Sequence, residues 1–244
     1  MPLLSIITIT YNAEAFLERT LESIVRQTDQ DFEYLLIDGG SKDGTLEIAE
    51  RHRPRINVWV SEPDKGLYDA MNKGLSRASG RYVWFMNAGD EIAEPDAVEK
   101  LKHLMEQAPD VIFSDTLMVD NSGTVVGLRS ELLPHKVPEI LTWEKYRMGM
   151  LICHQSFIAR KAIAPLYLTD NLSADIDWEI KCLKSASRAV PYPGILARYL
   201  TGGISQRQQW KSWTDRYKVL QKHFGFLPNL YHHFRILLRA GGIR

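Results

Sequence analysis

Cysteine is scarce: 244 residues hold only Cys153 and Cys182, and their spacing suits no metal site. A disulfide-stapled fold and a cysteine-bound zinc are therefore excluded, and a reducing compartment is implied. Long apolar runs are missing too. "LLSIITIT" near the N-terminus is the longest clear one, far short of the roughly 18 residues that a membrane-spanning helix needs. The first residues form no basic segment with a cleavage site, so a cytoplasmic location is expected. Neither GxGxxG nor a Walker A sequence occurs, and no serine sits in a nucleophile elbow. These absences argue against a dinucleotide-binding Rossmann protein, a P-loop NTPase and an α/β-hydrolase. Thirty basic residues balance thirty acidic ones, so no nucleic-acid partner is expected of the chain as a whole.

The balance is uneven along the chain. Beyond residue 205, Arg207, Lys211, Arg216, Lys218, Lys222, Arg235, Arg239 and Arg244 stand against Asp215 alone, which leaves +7 on the tail and −7 on residues 1–205. The tail also carries Trp210, Trp213, Tyr217, Phe224, Phe226, Tyr231 and Phe234. Basic plus aromatic is the composition of a surface that meets anionic lipid or nucleic acid, and a peripheral membrane contact through 206–244 is one expectation. A helix pair packing its aromatics on the body is the other.

Strand-like and helix-like segments alternate up to about residue 114. Strands are expected at 3–10, 32–38, 56–60, 81–86 and 110–114, each short, apolar and rich in β-branched or aromatic residues. Between them, Phe16, Leu17, Leu21, Ile24 and Val25 repeat at helical spacing, with Asn12 as the expected N-cap. Further helices are expected from about Thr45, after Lys65-Gly66, and from Pro95. "VDNSGTVVG" reads as a hairpin turning at Asn121-Ser122-Gly123. The alternation implies an α/β fold with a doubly wound, mostly parallel central sheet flanked by helices. Ligands bind such sheets beyond the carboxyl ends of the strands. The polar clusters fall there: Thr10-Tyr11-Asn12, "DGGSKDGT", "SEPDKG" and "NAGDE". Acids at strand ends suit a divalent cation holding a diphosphate, and Gly39-Gly40 lets backbone approach a ring closely. Asp69 and Asn72 are three apart on one helical face.

These pieces resemble the inverting family 2 glycosyltransferases of GT-A fold over roughly residues 3–205. The resemblance is carried by "SIITITYNAEAFLERTLESIVRQT", "IDGGSKDGT", "SEPDKGLYDAMNKGLSRASGRYVWFMNAGDE", "HQSFIARK", "SADIDWEIK" and "GGIS", in that order. It implies a domain over 1–205 and a helical C-terminal extension over 206–244. It also implies a nucleotide-sugar donor bordered by Thr10, Tyr11, Asn12, Asp38 and Gly39. Gly39 stands where many members have a second acid, and Met71 stands where many have an arginine. Lys65 is then the cation left to offset diphosphate charge, with Asp69 and Asn72 facing the donor. Asn87 and Asp90 occupy the acidic metal motif; Asp90 is the expected ligand of a divalent cation (Mn or Mg), in a loop expected to be exposed.

Asp175 matches the catalytic base of the family and Asp177 is its neighbour; a helix N-terminus should keep Asp175 ionised. His154 could reach the acceptor or a phosphate, though a lone histidine among apolar residues is more often core. The expected reaction moves a sugar to a hydroxyl of a glycan or lipid-linked glycan precursor, on the cytoplasmic face of the membrane. A sugar nucleotidyltransferase would need a glycine-rich, arginine-bearing loop after the first strand, and "TYNAEAF" is not one. The other alternative is a degenerate relative that binds nucleotide sugar without transferring it.

Overall fold

The computed structural model describes residues 1–133, 136–202 and 208–240, the last four of these as backbone only. Seven elements build the expected half. They are β1 (Leu4–Thr10), α1 (Leu17–Val25), β2 (Glu33–Asp38), α2 (Thr45–Arg51), β3 (Val58–Ser61), α3 (Leu67–Arg77) and β4 (Tyr82–Phe85). Strands β3, β2, β1 and β4 lie side by side in parallel.

Alternate residues of each strand point to opposite faces, and both faces are buried here. Ile7, Ile9, Leu35, Ile37, Val83 and Phe85 join one core with Tyr68, Ala70, Met71 and Leu75 of α3. Leu4, Ile6, Tyr34, Leu36, Tyr82 and Trp84 join the other with Leu17, Leu21 and Ile24 of α1 and Ile48 and Ala49 of α2. Two-sided burial is why these strands read as continuous apolar runs. Helix α3 approaches β1 so closely that a Cβ on Gly74 would lie 2.6 Å from the Ile7 side chain.

The remainder departs from simple alternation. After β5 (Glu91–Ile92) and α4 (Ala97–Glu106) come β6 (Val111–Val119) and β7 (Val125–Leu128), which form the expected hairpin. The short α5 (Arg129–Leu132) follows. Strand β8 (Phe157–Arg160) then inserts antiparallel between β4 and β6. Helix α6 (Ala174–Ser185) leads to β9 (Ala189–Leu200), parallel to β6, with β5 at the edge beyond it. Of the segment "GGIS", Gly203, Ile204 and Ser205 lie outside the described residues.

One sequence expectation fails at α1. The helix opens at Leu17 rather than after Asn12, whose φ of 46° puts it in the left-handed region. Asparagine tolerates that region because its side chain can bond nearby backbone, and here its Oδ1 accepts the Lys42 N–H at 2.9 Å. Asn12 joins two loops instead of capping a helix.

The tail is a helical hairpin, α7 (Gln209–Phe224) and α8 (Phe226–Ala240), turning at Gly225. It bears out in part the expectation of a helix pair packed on the body. Val219 and Leu220 are buried and Phe224 stacks on Trp143 at 5.3 Å, so α7 packs on the body. Trp210, Trp213, Phe226, Tyr231 and Phe234 stay exposed. The anchor is polar: Asp177 of α6, fully buried, meets His223 at 2.8 Å and Lys181 at 2.5 Å, and Asp215 accepts the Leu172 N–H at 3.0 Å.

Burial works against the Asp177 charge, but His223 and the lysines more than offset it and hold its pKa at about 2. A carboxyl depressed in the folded state contributes stability that is complete above its ordinary pKa and lost as pH falls through the folded one. Asp177→Asn should therefore lower stability by about 2–3 kcal/mol at neutral pH, at about 1.4 kcal/mol per pKa unit. The gap in Tm between variant and wild type should close between about pH 4 and about pH 2. A gap that is constant over this range would show that the ion pairs do not carry the effect.

Candidate active site

Three strand ends converge on one row, because Thr10 is in register with Asp38 and Asp38 with Ser61. Asp38 is 1% exposed. Its Oδ2 accepts the N–H groups of Gly40 and Ser41 at 3.0 Å each and the Ser61 hydroxyl at 2.6 Å; its Oδ1 accepts the Ser41 hydroxyl. Thr10 Oγ1 is buried beside this row without a hydrogen-bond partner among the described residues.

Above the row lies an open cleft of about 480 Å³ lined by Tyr11, Gly39, Gly40, Lys42, Pro63, Asp64 and Gly66. Tyr11 is 61% exposed, a ring left free at the mouth. A Cβ on Gly39 would come within 2.3 Å of Asp64 Oδ2, so the glycine leaves room for an acid from the neighbouring loop. Asp64 Oδ1 in turn accepts the Gly66 N–H at 2.8 Å.

The opening of α3 is arranged differently from the sequence expectation. Lys65, Asp69 and Asn72 are not among the cleft-lining residues. Asp69 Oδ2 accepts the Lys65 N–H at 3.0 Å, a side chain reaching back to cap the helix start. Asn72 spends both ends of its amide on the Tyr167 backbone, donating to its oxygen at 3.0 Å and accepting its N–H at 2.7 Å. Lys65 is exposed, and its ammonium makes no ion pair among the described residues.

Asp90 lies in the turn after β4. That turn was expected to be exposed, yet Asp90 is 4% exposed. The burial comes from distant chain: Gln155 Nε2 donates to its Oδ2 at 2.7 Å and the Leu200 N–H to its Oδ1 at 2.9 Å. Burial pushes its pKa up to about 7, with the Glu91 charge adding to it. Asn87 Oδ1, in the same turn, is buried without a partner among the described residues. One carboxylate and one orphaned amide oxygen are hard oxygen donors. They fit a Mg- or Mn-type ion that takes its remaining ligands from a diphosphate and water. No group of three His, Cys, Asp or Glu side chains able to hold a metal occurs among the described residues.

Asp175 opens α6, half-buried, its Oδ1 accepting the Ile176 N–H at 2.8 Å. The helix terminus was expected to keep it readily ionised. Burial wins instead and raises its pKa to about 6, with the Ile176 N–H and the nearby Tyr68 hydroxyl pulling the other way; that hydroxyl donates to the Leu172 oxygen at 3.2 Å. No cation pairs with Asp175 among the described residues, whereas Asp177 is fully engaged. Burial raises the pKa of the Tyr199 hydroxyl, and Cys153, Asp90 and Asp175 nearby raise it further. One turn after Asp175, Glu179 is buried and accepts the Tyr146 hydroxyl at 2.6 Å, and burial pushes its pKa well up. His154 is core. It stacks on Trp178 and bonds the Tyr167 hydroxyl at 2.9 Å, and burial lowers its pKa to about 4.

Sequence reading missed Tyr68, Gln155, Glu179 and Tyr199, while Asp64 lies in the polar cluster "SEPDKG" that it placed at the site. "HQS" did mark the right segment, but for its histidine rather than for Gln155. Tyr68 lies inside an apolar helical pattern that hides its hydroxyl.

The profile of glycosyl transferase family 2 matches residues 5–166, about two thirds of the chain. The chain belongs to that family. It is a glycosyltransferase of GT-A fold. It is 31% identical to a PGL/p-HBAD biosynthesis glycosyltransferase of Mycobacterium bovis over 82% of its length and 74% of the relative's. It is 28% identical to the putative teichuronic acid biosynthesis glycosyltransferase TuaG of Bacillus subtilis, over 91% of this chain and 90% of TuaG. Staphylococcus aureus TarS, solved with UDP-GlcNAc, superposes with a TM-score of 0.72 at 21% identity over 89% of this chain; the match spans 64% of the TarS chain. The mannosyltransferase PcManGT of Pyrobaculum calidifontis, solved with GDP-Man and Mn2+, gives 0.67 at 16% identity, over 95% of this chain and 69% of its own. At these identities the two structures establish the shared fold.

The burial of Asp90 changes what its removal should do. Asp90→Ala leaves the Gln155 amide and the Leu200 N–H without acceptors, and each unsatisfied buried donor costs about 1–3 kcal/mol. Losing the raised-pKa charge offsets part of that cost. Stability near pH 4, where the carboxyl is neutral in the folded protein and close to its ordinary pKa in the unfolded chain, should therefore fall by about 2 kcal/mol or more. Denaturant unfolding checks it; an unchanged midpoint would mean that the two bonds hold nothing.

Proposed function

We propose that the protein transfers a sugar, of hexosyl or N-acetylhexosaminyl type, from a nucleoside-diphosphate donor to a hydroxyl of a glycan or lipid-linked glycan precursor. Transfer proceeds with inversion, in the cytoplasm at the inner face of the membrane. The observation that carries this reading is the division of labour at the start of α6. Asp177 is spent on His223 and lysines, while Asp175, two residues earlier, accepts a backbone N–H and pairs with no cation among the described residues. An unpaired carboxylate with a pKa of about 6 is suited to act as a general base near neutral pH.

In this reading Tyr11, Gly39, Gly40 and Asp64 border the nucleoside, with Thr10, Asn12 and Asp38 shaping the loops beneath it. Asp69 and Asn72 hold the α3 entrance from which Lys65 reaches the diphosphate. Asp175 takes the acceptor hydroxyl proton as that oxygen attacks the anomeric carbon. The bond from the anomeric carbon to the diphosphate oxygen breaks on the opposite face, and the nucleoside diphosphate leaves with the electron pair. No sugar becomes attached to the protein. The Ile176 N–H orients the base at the start of α6, and Tyr68 ties the preceding loop through the Leu172 oxygen. Asp90 and Asn87 would hold a divalent cation, which when bound supplies positive charge to the leaving diphosphate. Support for a nucleotide-sugar donor comes from the complexes of TarS with UDP-GlcNAc and PcManGT with GDP-Man. Support for a glycan acceptor comes from TuaG, named for teichuronic acid biosynthesis.

The base must be ionised to work, so kcat should rise with pH through about 6 and level off above it. Asp175→Asn should lower transfer by about 10²–10⁴-fold with donor affinity near wild type, the usual worth of a positioned base. Nucleotide-sugar binding is read by calorimetry, and transfer by release of nucleoside diphosphate in the presence of acceptor. A wild-type chain that binds donor but transfers nothing to any glycan acceptor would leave a binding protein. Transfer that is unimpaired in Asp175→Asn would move the base elsewhere.

A further inference from the structure

Helix α8 has two faces, and only one has a partner among the described residues. Asn229 is 1% exposed and donates to the Tyr217 oxygen at 3.1 Å, and the His233 ring lies 4.8 Å from that of Tyr217, so these residues turn toward α7. Phe226, Leu227, Leu230, Tyr231 and Phe234 follow the opposite register, each between 49% and 74% exposed. At about 100° per residue they cover an arc of roughly 140°, a broad continuous apolar band. Arg235 edges the band, its guanidinium 5.8 Å from the Tyr231 ring.

The exposed charge on the two helices has one sign. Lys211, Lys218, Lys222 and Arg235 are exposed across them. The single acid of 208–240, Asp215, is buried and bonded to Lys211 and to the Leu172 N–H. An apolar band with aromatic side chains, on a basic helix pair that exposes no acid of its own among residues 208–240, complements a bilayer interface carrying anionic headgroups. A wholly polar partner would leave five large apolar side chains uncovered.

We propose that the outer face of α8 (Phe226, Leu227, Leu230, Tyr231 and Phe234) is a contact surface for an anionic lipid bilayer, locked in orientation relative to the base-bearing helix α6. The lock is the Asp177–His223 pair and the seating of Leu172 on Asp215, both made by α7. The apolar band enters the interface, Arg235 extends toward the headgroups, and α6 is thereby held at a fixed height above the surface. The lipid contact itself does not depend on the proposed reaction; only its purpose, presenting Asp175 to a membrane-bound acceptor, does.

The test uses the full chain and vesicles of phosphatidylcholine with or without phosphatidylglycerol. Wild type should co-sediment with the anionic vesicles, stay in the supernatant with the neutral ones, and lose binding as salt rises, since surface charge is screened within about 8 Å at physiological ionic strength. Leu230→Ser with Phe234→Ser should lower partitioning at least about tenfold. Arg235→Glu should lower it specifically on anionic vesicles. Because these positions are exposed, circular dichroism and cleavage of a soluble donor should match wild type. Equal sedimentation of variant and wild type would overturn the proposal. So would a wild-type dimer in light scattering that the double variant dissolves, since the band would then face a second copy. Lipid binding without any sugar transfer would retain this surface and reject the proposed reaction.

Discussion

Asp38 takes a full negative charge out of water at the end of β2, and four donors from two neighbouring segments converge on it. A carboxylate buried there without partners would cost several kcal/mol. The chain must therefore bring Gly40, Ser41 and Ser61 to it. Meeting that demand folds the loop after β2 back under the end of β3, and Ser41 then also accepts the Asn12 N–H at 2.8 Å. Thus three of the loops that border the cleft are tied through one side chain. The same bonds consume much of the acceptor capacity of Asp38, so the freer polar groups facing the cleft are Tyr11, Lys42 and Asp64. Preorganised loops of this kind lower the ordering cost that a nucleotide would otherwise impose on binding.

The second half of the site is held by contacts across long stretches of sequence. Asp90 is bonded by Gln155, 65 residues on, and by Leu200, 110 residues on. Asn72 grips the Tyr167 backbone across 95 residues. Tyr167 stacks on Trp178 of α6 at 5.0 Å, so the opening of α3 and the helix that carries Asp175 share one packed aromatic group. Asn72 therefore couples the opening of α3 to α6 through packed contacts, the kind of support that a precisely held side chain requires.

The parallel strands were legible in sequence because two-sided burial writes an unbroken apolar run, and Gly and Asp punctuate the ends. β8 was not legible: four residues, "FIAR", have no period of their own, and only the gap between β4 and β6 gives them a place. The position of the site at the strand ends followed from topology, as did the separation of Asp175 from Asp177 by two helical positions. Local propensity could not show that Asn12 serves a loop. Composition could not divide the tail's aromatics into Phe224, which docks, and Trp210 or Phe234, which do not. The burial of Asp90 was also out of reach, because its donors come from segments whose packing is wholly tertiary.

Three aspartates of one chemical type are driven to three different states by their surroundings. Cations pull Asp177 down to about 2, and burial lifts Asp175 to about 6 and Asp90 to about 7. Environments that push like groups apart equip them for differing roles: Asp177 holds the tail, while Asp175 and Asp90 are left able to change charge near neutral pH. The raised pair also sets an energetic tension. A carboxyl whose pKa is raised on folding destabilises the folded state as pH climbs from its ordinary value through the raised one. For Asp90 that tension approaches about 4 kcal/mol above neutrality, at about 1.4 kcal/mol per pKa unit. A positive charge brought beside Asp90 would relieve it, which fits the Mg- or Mn-type ion that hard oxygen donors suit.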